Sequence, residues 1–167
     1  MSEFARGLDP ELSARVSREE SPLGTGGALE LCRELVEGPA VLVMNGDSYC
    51  PLDLGGLVAF HSGHEGVASI AMTEAGERRD VGFIGLAEKD RIVSFDERGA
   101  VARHLNAGVY VLDREVLDGM SPGPRSLERE VFPGLLERGV YGHLTREKLW
   151  DIGTPERLEE FRKVFPG

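Results

Sequence analysis

The chain has 167 residues, of which 41% are hydrophobic and 29% charged, with a formal net charge of −10. That length fits one domain able to bury roughly 70% of the surface its unfolded chain would expose. The acidic balance argues against a nucleic-acid polymer as partner, because such binding needs clustered Lys and Arg to displace counterions, but it leaves room for a nucleotide carried with a divalent cation.

Residues 1–16 read as a weakly structured segment, polar and broken by Gly7 and Pro10, with at most a short helix at Pro10 to Ala14. Residues 17–167 form the domain. Gly24-Thr25-Gly26-Gly27 leads into a helical stripe of Ala28, Leu31, Cys32, Leu35 and Val36, ended by Gly38-Pro39. Ala40 to Met44 is uniformly apolar, the mark of a strand buried on both faces inside a parallel sheet. It ends at Asn45-Gly46-Asp47-Ser48.

Asp53 can cap a helix from Leu54 to His61, with Leu54, Leu57, Val58 and Phe60 as its apolar face. Val67 to Met72 is a second buried-type strand. Val81 to Leu86 and Arg91 to Phe95 pair across the polar turn Glu88-Lys89-Asp90. Ala107 to Leu112 is the next strand, followed by a short helix from Arg114 to Met120. Ser126 caps Leu127 to Arg138, a helix that Pro133 should kink or break. Short strands follow at Val140 to Leu144 and Lys148 to Trp150. Pro155 then takes the first position of a helix through Val164, capped by Thr154. Alternating strands and helices give an α/β class: a mostly parallel sheet flanked by helices, with a small antiparallel insert.

No apolar run has transmembrane length, and the N-terminus lacks the layout of a signal peptide, so a cytoplasmic chain with no membrane partner is expected. Cys32 and Cys50 have no metal-type spacing and read as reduced thiols. His61 and His64 fall three apart at a helix end and, without a third ligand, read as solvated.

Asp47 lies off the carboxyl end of a strand, where open α/β sheets place their ligands, although a lone Asp there more often caps a turn. The glycines open a helix whose backbone N–H groups favour an anion or a polar ligand edge. They match no Walker loop. A dinucleotide fingerprint, and with it an oxidoreductase, is poorly supported because Arg15 to Ser21 is charged rather than a buried strand. Mere turn chemistry explains such a stretch equally well. Asp151 sits on a tight turn where Thr154 already supplies the cap, so it could join Asp47 on one Mg²⁺.

Pro22 to Ala28, Asn45-Gly46-Asp47-Ser48, Phe95 to Arg98, Asn106-Ala107-Gly108-Val109-Tyr110 and Asp151 to Pro155 occur in this order. Together they resemble the sugar-1-phosphate nucleotidyltransferases, particularly the mannose-1-phosphate and D-glycero-D-manno-heptose-1-phosphate guanylyltransferase branch. Ser126-Leu127-Glu128 through Phe132-Pro133 and Tyr141-Gly142 resemble the heptose type, and the likeness runs from about Ser17 to Phe161.

The resemblance implies a Rossmann-like nucleotide-diphospho-sugar transferase fold and formation of an NDP-sugar from a sugar 1-phosphate and an NTP, with release of pyrophosphate. It implies that Gly24, Thr25, Gly26 and Gly27 lie along the base and ribose, with Asn45 and Gly46 also at the nucleotide. Asp47 and Asp151 would hold Mg²⁺ as the catalytic pair. Gly82, Asn106, Ala107 and Gly108 would line the sugar pocket. Glu97 would accept from a sugar hydroxyl, and Arg98 would replace the family's usual Lys near the sugar phosphate, a planar fork in place of a point charge. Glu19, three residues before Pro22, is acceptor-only and so fits the adjacent N–H groups of guanine, favouring GTP.

The family's opening strand and Gly-x-Gly-Thr-Arg loop have no counterpart in these residues. The chain is therefore expected to be N-terminally truncated, and inactive or feeble alone. Its unpaired sheet edges would invite a second copy or a completing chain. The alternative reading is a non-catalytic sugar-nucleotide-binding or regulatory domain.

Overall fold

A computed structural model describes residues 14–75, 83–96 and 104–166. The elements are α1 (Gly24–Leu31), β1 (Ala40–Met44), β2 (Ser48–Tyr49), α2 (Leu54–Ser62), β3 (Ala68–Glu74), β4 (Phe83–Leu86), β5 (Ile92–Asp96) and β6 (His104–Asp113). Then come α3 (Arg114–Asp118), a π turn (Leu127–Val131), α4 (Phe132–Leu135), β7 (Val140–Leu144), β8 (Trp150–Asp151) and α5 (Pro155–Val164). The helix expected at Pro10 to Ala14 lies, but for Ala14, outside the described residues.

The organising strand is β6, ten residues long, because its side chains alternate between two apolar cores. Tyr110 and Leu112 point into one core with Ile70, Met72, Leu117, Leu127 and Phe132. Ala107, Val109 and Val111 point the other way, against Cys50, Leu52, Leu57 and Ala71. The sheet is therefore covered on one face by α3, the π turn and α4, and on the other by α2. Burial pushes the Cys50 thiol up in pKa, helped by the nearby charge of Glu147, which keeps it protonated.

The sheet runs β5-β4-β6-β3-β7, with β1 also on β6. β4 takes the edge of β6 at 104–105 and β1 at 109–113, so one long strand supports two short ones. The sheet is mixed, with β3–β7 its parallel pair and the other ladders antiparallel. The α/β class thus holds, with fewer parallel neighbours than the alternating pattern suggested.

The strand β1 differs from expectation. It is antiparallel to β6, has no second ladder among the described residues, and leaves Leu42 38% and Met44 54% exposed. A uniformly apolar run does not say which faces of a strand are covered or which edge is filled.

Several local signals materialise as read. β4 and β5 form the expected hairpin across Glu88–Asp90, and Lys89 and Asp90 adopt positive φ there. Ser126 Oγ accepts from Arg129 N at 3.2 Å, and Pro133 sits where the π turn gives way to α4. Thr154 Oγ1 accepts from Arg157 N at 3.3 Å, capping α5. Asp53 stands at the N-cap of α2 without a side-chain capping bond.

His61 is not solvated. It is 7% exposed, with Nδ1 3.0 Å from Ser69 Oγ and Nε2 3.1 Å from Asp113 Oδ1. Ser69 is sealed at 0% exposure, so this Ser–His–Asp set ties α2 to the sheet and has no opening for a substrate. Among the described residues no helix is long and apolar enough to cross a membrane.

Candidate functional site

The two aspartates predicted to share a cation are brought together by the smaller of the two sheets among the described residues. After β1 the chain turns through Asn45-Gly46-Asp47 into β2, which pairs antiparallel with β8 so that Ser48 faces Asp151. Ile152 N donates to Asp47 O at 2.9 Å, locking the turn against the strand end. Phe161 of α5 holds this ribbon from behind, with ring centroids 5.2 Å from Tyr49 and 5.9 Å from Trp150.

Gly153 lies between the two carboxylates. A Cβ there would stand 3.4 Å from Asp151 Oδ1 and 3.8 Å from Asp47 Oδ2, so both groups border the same small space. Asp47 and Gly153 are exposed, which leaves water room to complete a coordination sphere. Asp151 is already engaged: Oδ1 accepts from Gly153 N at 3.0 Å, and Oδ2 pairs with the Arg157 guanidinium. Two hard oxygen donors with solvent access suit Mg²⁺, which takes few protein carboxylates. Among the described residues no group of three or more His, Cys, Asp or Glu is clustered for a metal.

Beside this pair lies a polar knot. Gly108 has φ +74°, and its N–H donates to Asn106 Oδ1 at 2.8 Å while its carbonyl accepts from Asn45 N at 2.8 Å. A Cβ on Gly108 would meet Ser48 Oγ at 2.6 Å and Asn45 Nδ2 at 3.1 Å, so the sequence needs glycine here twice over. Ser48 Oγ is buried and has no hydrogen-bond partner. Ala107 turns its methyl into the core, leaving only its backbone to a ligand. Gly46 is exposed, with open space where a Cβ would be.

The glycine stretch is fixed by a segment far along the chain. Gly26 N and Gly27 N both donate to Arg125 O, at 3.0 and 3.3 Å. A Cβ on Gly27 would strike Gly123 O at 2.6 Å. These two glycines therefore serve close packing, and the N–H groups left for a ligand are those nearer Gly24 and Thr25. Glu19 Oε2 accepts from Leu23 N at 2.7 Å, which folds its carboxylate back onto the start of α1.

Glu128, absent from the predicted site set, joins the loop to the knot. Its Oε2 accepts from Thr25 Oγ1 at 2.8 Å and Ser126 Oγ at 2.9 Å, and its Oε1 from Tyr110 OH at 3.0 Å. Burial pushes the carboxyl up, but hydrogen bonds from its own N–H, Thr25, Ser126 and Tyr110 outweigh this and hold it below the usual range. Burial and the Glu128 charge push the Tyr110 phenol well above its ordinary pKa, against the contacts of Asn106 and Asn45. Gly82, Glu97 and Arg98 lie outside the described residues. A separate cavity of about 230 Å³, bordered by Val116, Met120, Arg125, Glu130 and Arg138, contains none of the predicted site residues.

Comparison with known proteins points the same way. The chain is 35% identical to a mannose-1-phosphate guanylyltransferase of Mycobacterium tuberculosis over 161 residues, covering 93% of this chain and 45% of that protein. It is 32% identical to the mannose-1-phosphate guanylyltransferase catalytic subunit beta of Dictyostelium discoideum, over 93% of this chain and 45% of that protein. The chain thus spans about half the length of the curated relatives it matches. Among solved structures, HddC from Yersinia pseudotuberculosis, determined in complex with GMP-PN, superposes with a TM-score of 0.75 at 26% identity, covering 88% of this chain and 64% of that one. The model of the Nucleotidyl transferase family matches residues 2–164, and the chain belongs to that family.

Proposed function

We propose that this domain carries the metal site, the sugar pocket and the guanine-facing loop of a guanylyltransferase, which joins a sugar 1-phosphate to GTP to give a GDP-sugar and pyrophosphate. The observation that carries the reading is the convergence of Asp47 and Asp151 on one space over Gly153, next to the Asn45–Asn106–Gly108 knot. Family membership and the guanylyltransferase relatives support the reaction class and the base.

In this scheme a phosphate oxygen of the sugar 1-phosphate forms the new P–O bond at the α-phosphorus while the bond to the pyrophosphate oxygen breaks. Nothing covalent to the protein is needed. Asp47 and Asp151 would hold a divalent cation, which when bound would supply positive charge to stabilise the phosphoryl oxygens during transfer. The Gly24–Gly27 turn would set the base and ribose, with the fixed Glu19 carboxylate accepting from guanine N1–H and N2–H. Asn106 and the backbone of Ala107 and Gly108 would receive sugar hydroxyls. Glu97 and Arg98 would complete the sugar-phosphate end.

Chemistry that works by positioning and electrostatics needs cations at the leaving pyrophosphate. The 167-residue polypeptide, which has no Gly-x-Gly-Thr-Arg loop in its sequence, should therefore bind far better than it turns over. Calorimetric titration tests the reading. GDP-mannose with Mg²⁺ should bind more tightly than a UDP-sugar, with little pyrophosphate released from GTP and mannose 1-phosphate. Equal affinity for the two nucleotide sugars would remove the guanine assignment, and failure to bind either would remove the site.

A further inference from the structure

The Ser126-Leu127-Glu128 segment takes no part in the chemistry above, yet its carboxylate is where the glycine turn, the π turn and β6 meet. Thr25 is the informative member. Its single hydroxyl proton goes to Glu128 Oε2 at 2.8 Å, and its oxygen accepts from Leu127 N at 2.8 Å. With its one proton committed to Glu128, the hydroxyl of this exposed residue has none to offer a ribose or a base, although its place on the loop suggests that use.

The other oxygen of Glu128 accepts from Tyr110 OH, which is buried in the core against Phe132 and also touches the side chains of Asn45 and Asn106. One carboxylate therefore spans from the start of α1 to the two asparagines at the strand ends. Residues 25 and 128 are 103 apart in sequence, so the tie is long-range and the loop cannot hold it alone.

We propose that Glu128 is a positioning residue: it clamps the Gly24–Gly27 turn, through Thr25, at a fixed distance from the sugar side of the site. The Thr25 hydroxyl is then part of the clamp and not of the ligand shell. The inference rests on the reading that this turn receives the nucleotide. It predicts that the loop's geometry, and not a lost ligand contact, limits affinity when either residue is changed.

The test compares the full chain with Thr25→Val, Glu128→Ala, Glu128→Gln and the Thr25→Val/Glu128→Ala double variant. GDP-mannose affinity is read by calorimetry, and exchange of the Gly24 and Thr25 amides by hydrogen–deuterium exchange. Thr25→Val and Glu128→Ala should each weaken binding by about tenfold, the double variant no further than Glu128→Ala, because one chain of bonds is being cut. Both should speed exchange at the turn. Glu128→Gln keeps one oxygen for Thr25 and Ser126 while Tyr110 can accept from its amide, so it should stay within about threefold of the parent.

Loss of affinity in Thr25→Val with none in Glu128→Ala would overturn the proposal, by making the hydroxyl a direct ligand contact. Additive effects, or unchanged exchange at the turn in both variants, would overturn it too. If Glu128→Ala does not fold, the exposed Thr25→Val still decides, since unaltered affinity and exchange there refute the clamp. If the parent chain binds no GDP-mannose, the nucleotide assignment falls, and the exchange data still support or refute the clamp.

Discussion

Replacing Gly108 with Ala should be among the costliest single-methyl changes this fold can suffer. The residue sits in β6 at φ +74°, a region that costs an L-residue about 1–2 kcal/mol. The added Cβ would stand 2.6 Å from Ser48 Oγ, with Asn45 Nδ2 at 3.1 Å and Asn45 Cβ at 3.2 Å barring a second way out. Crowding of that kind costs about 1–3 kcal/mol, because Asn45 is held by its own hydrogen bond to the Gly108 carbonyl. The two terms give about 2–5 kcal/mol against a total of about 5–15 kcal/mol for an ordinary domain. Gly134 supplies the control: it lies in α4 with negative φ and nothing within 4 Å of a Cβ, so Gly134→Ala should be neutral or slightly stabilising. Urea unfolding followed through the single tryptophan, Trp150, measures both. A Gly108→Ala midpoint within about 0.5 kcal/mol of the parent would refute the strained-turn argument.

Ser69→Ala removes a partner from the buried His61 ring and should destabilise by about 1–3 kcal/mol, read from the same urea curves. A cost near zero would mean the ring finds another partner. The Glu128 carboxyl is held below its ordinary pKa of 4.5, so its contribution is complete above that pH and is lost as pH falls through the lower folded value. From about pH 6 to about pH 3.5 the parent should lose more stability than Glu128→Gln, and parallel losses would contradict the assignment. Arg157 pairs with Asp151 Oδ2 in a half-exposed ion pair and would compete there with a cation. Arg157→Gln should therefore tighten Mn²⁺ binding by up to about fivefold at low salt, the scale of a surface pair, and weaker binding would show that Arg157 orients the carboxylate instead.

What the sequence made legible was local. Thr154 and Pro155 announce α5 to the residue, and Glu88-Lys89-Asp90 announces the hairpin, because caps and tight turns are written in adjacent residues. Pairing partners were not legible. Ala40 to Met44 looks the same whether it is flanked by strands on both sides or, as here among the described residues, on one; its antiparallel ladder to β6 depends on residues 109–113. The β2–β8 ribbon is two residues long on each side, too short for any periodicity, yet it is what places Asp151 opposite Ser48. The resemblance anticipated that Asp47 and Asp151 converge, but not the means. The glycines likewise advertised a ligand loop while concealing that Arg125 O accepts two of its N–H groups. His61 looked like a polar helix end because its partners, Ser69 and Asp113, lie on other elements.

The proposed reaction depends on Asp47 and Asp151 holding one cation between them. Electron paramagnetic resonance of Mn²⁺, titrated into the chain with GDP-mannose present, measures free and bound metal directly. One site is predicted, weakened at least about tenfold by Asp47→Asn or by Asp151→Asn, with the double variant little worse than either, as expected when one metal loses its shared grip. Parent-like Mn²⁺ binding in either single variant would contradict it.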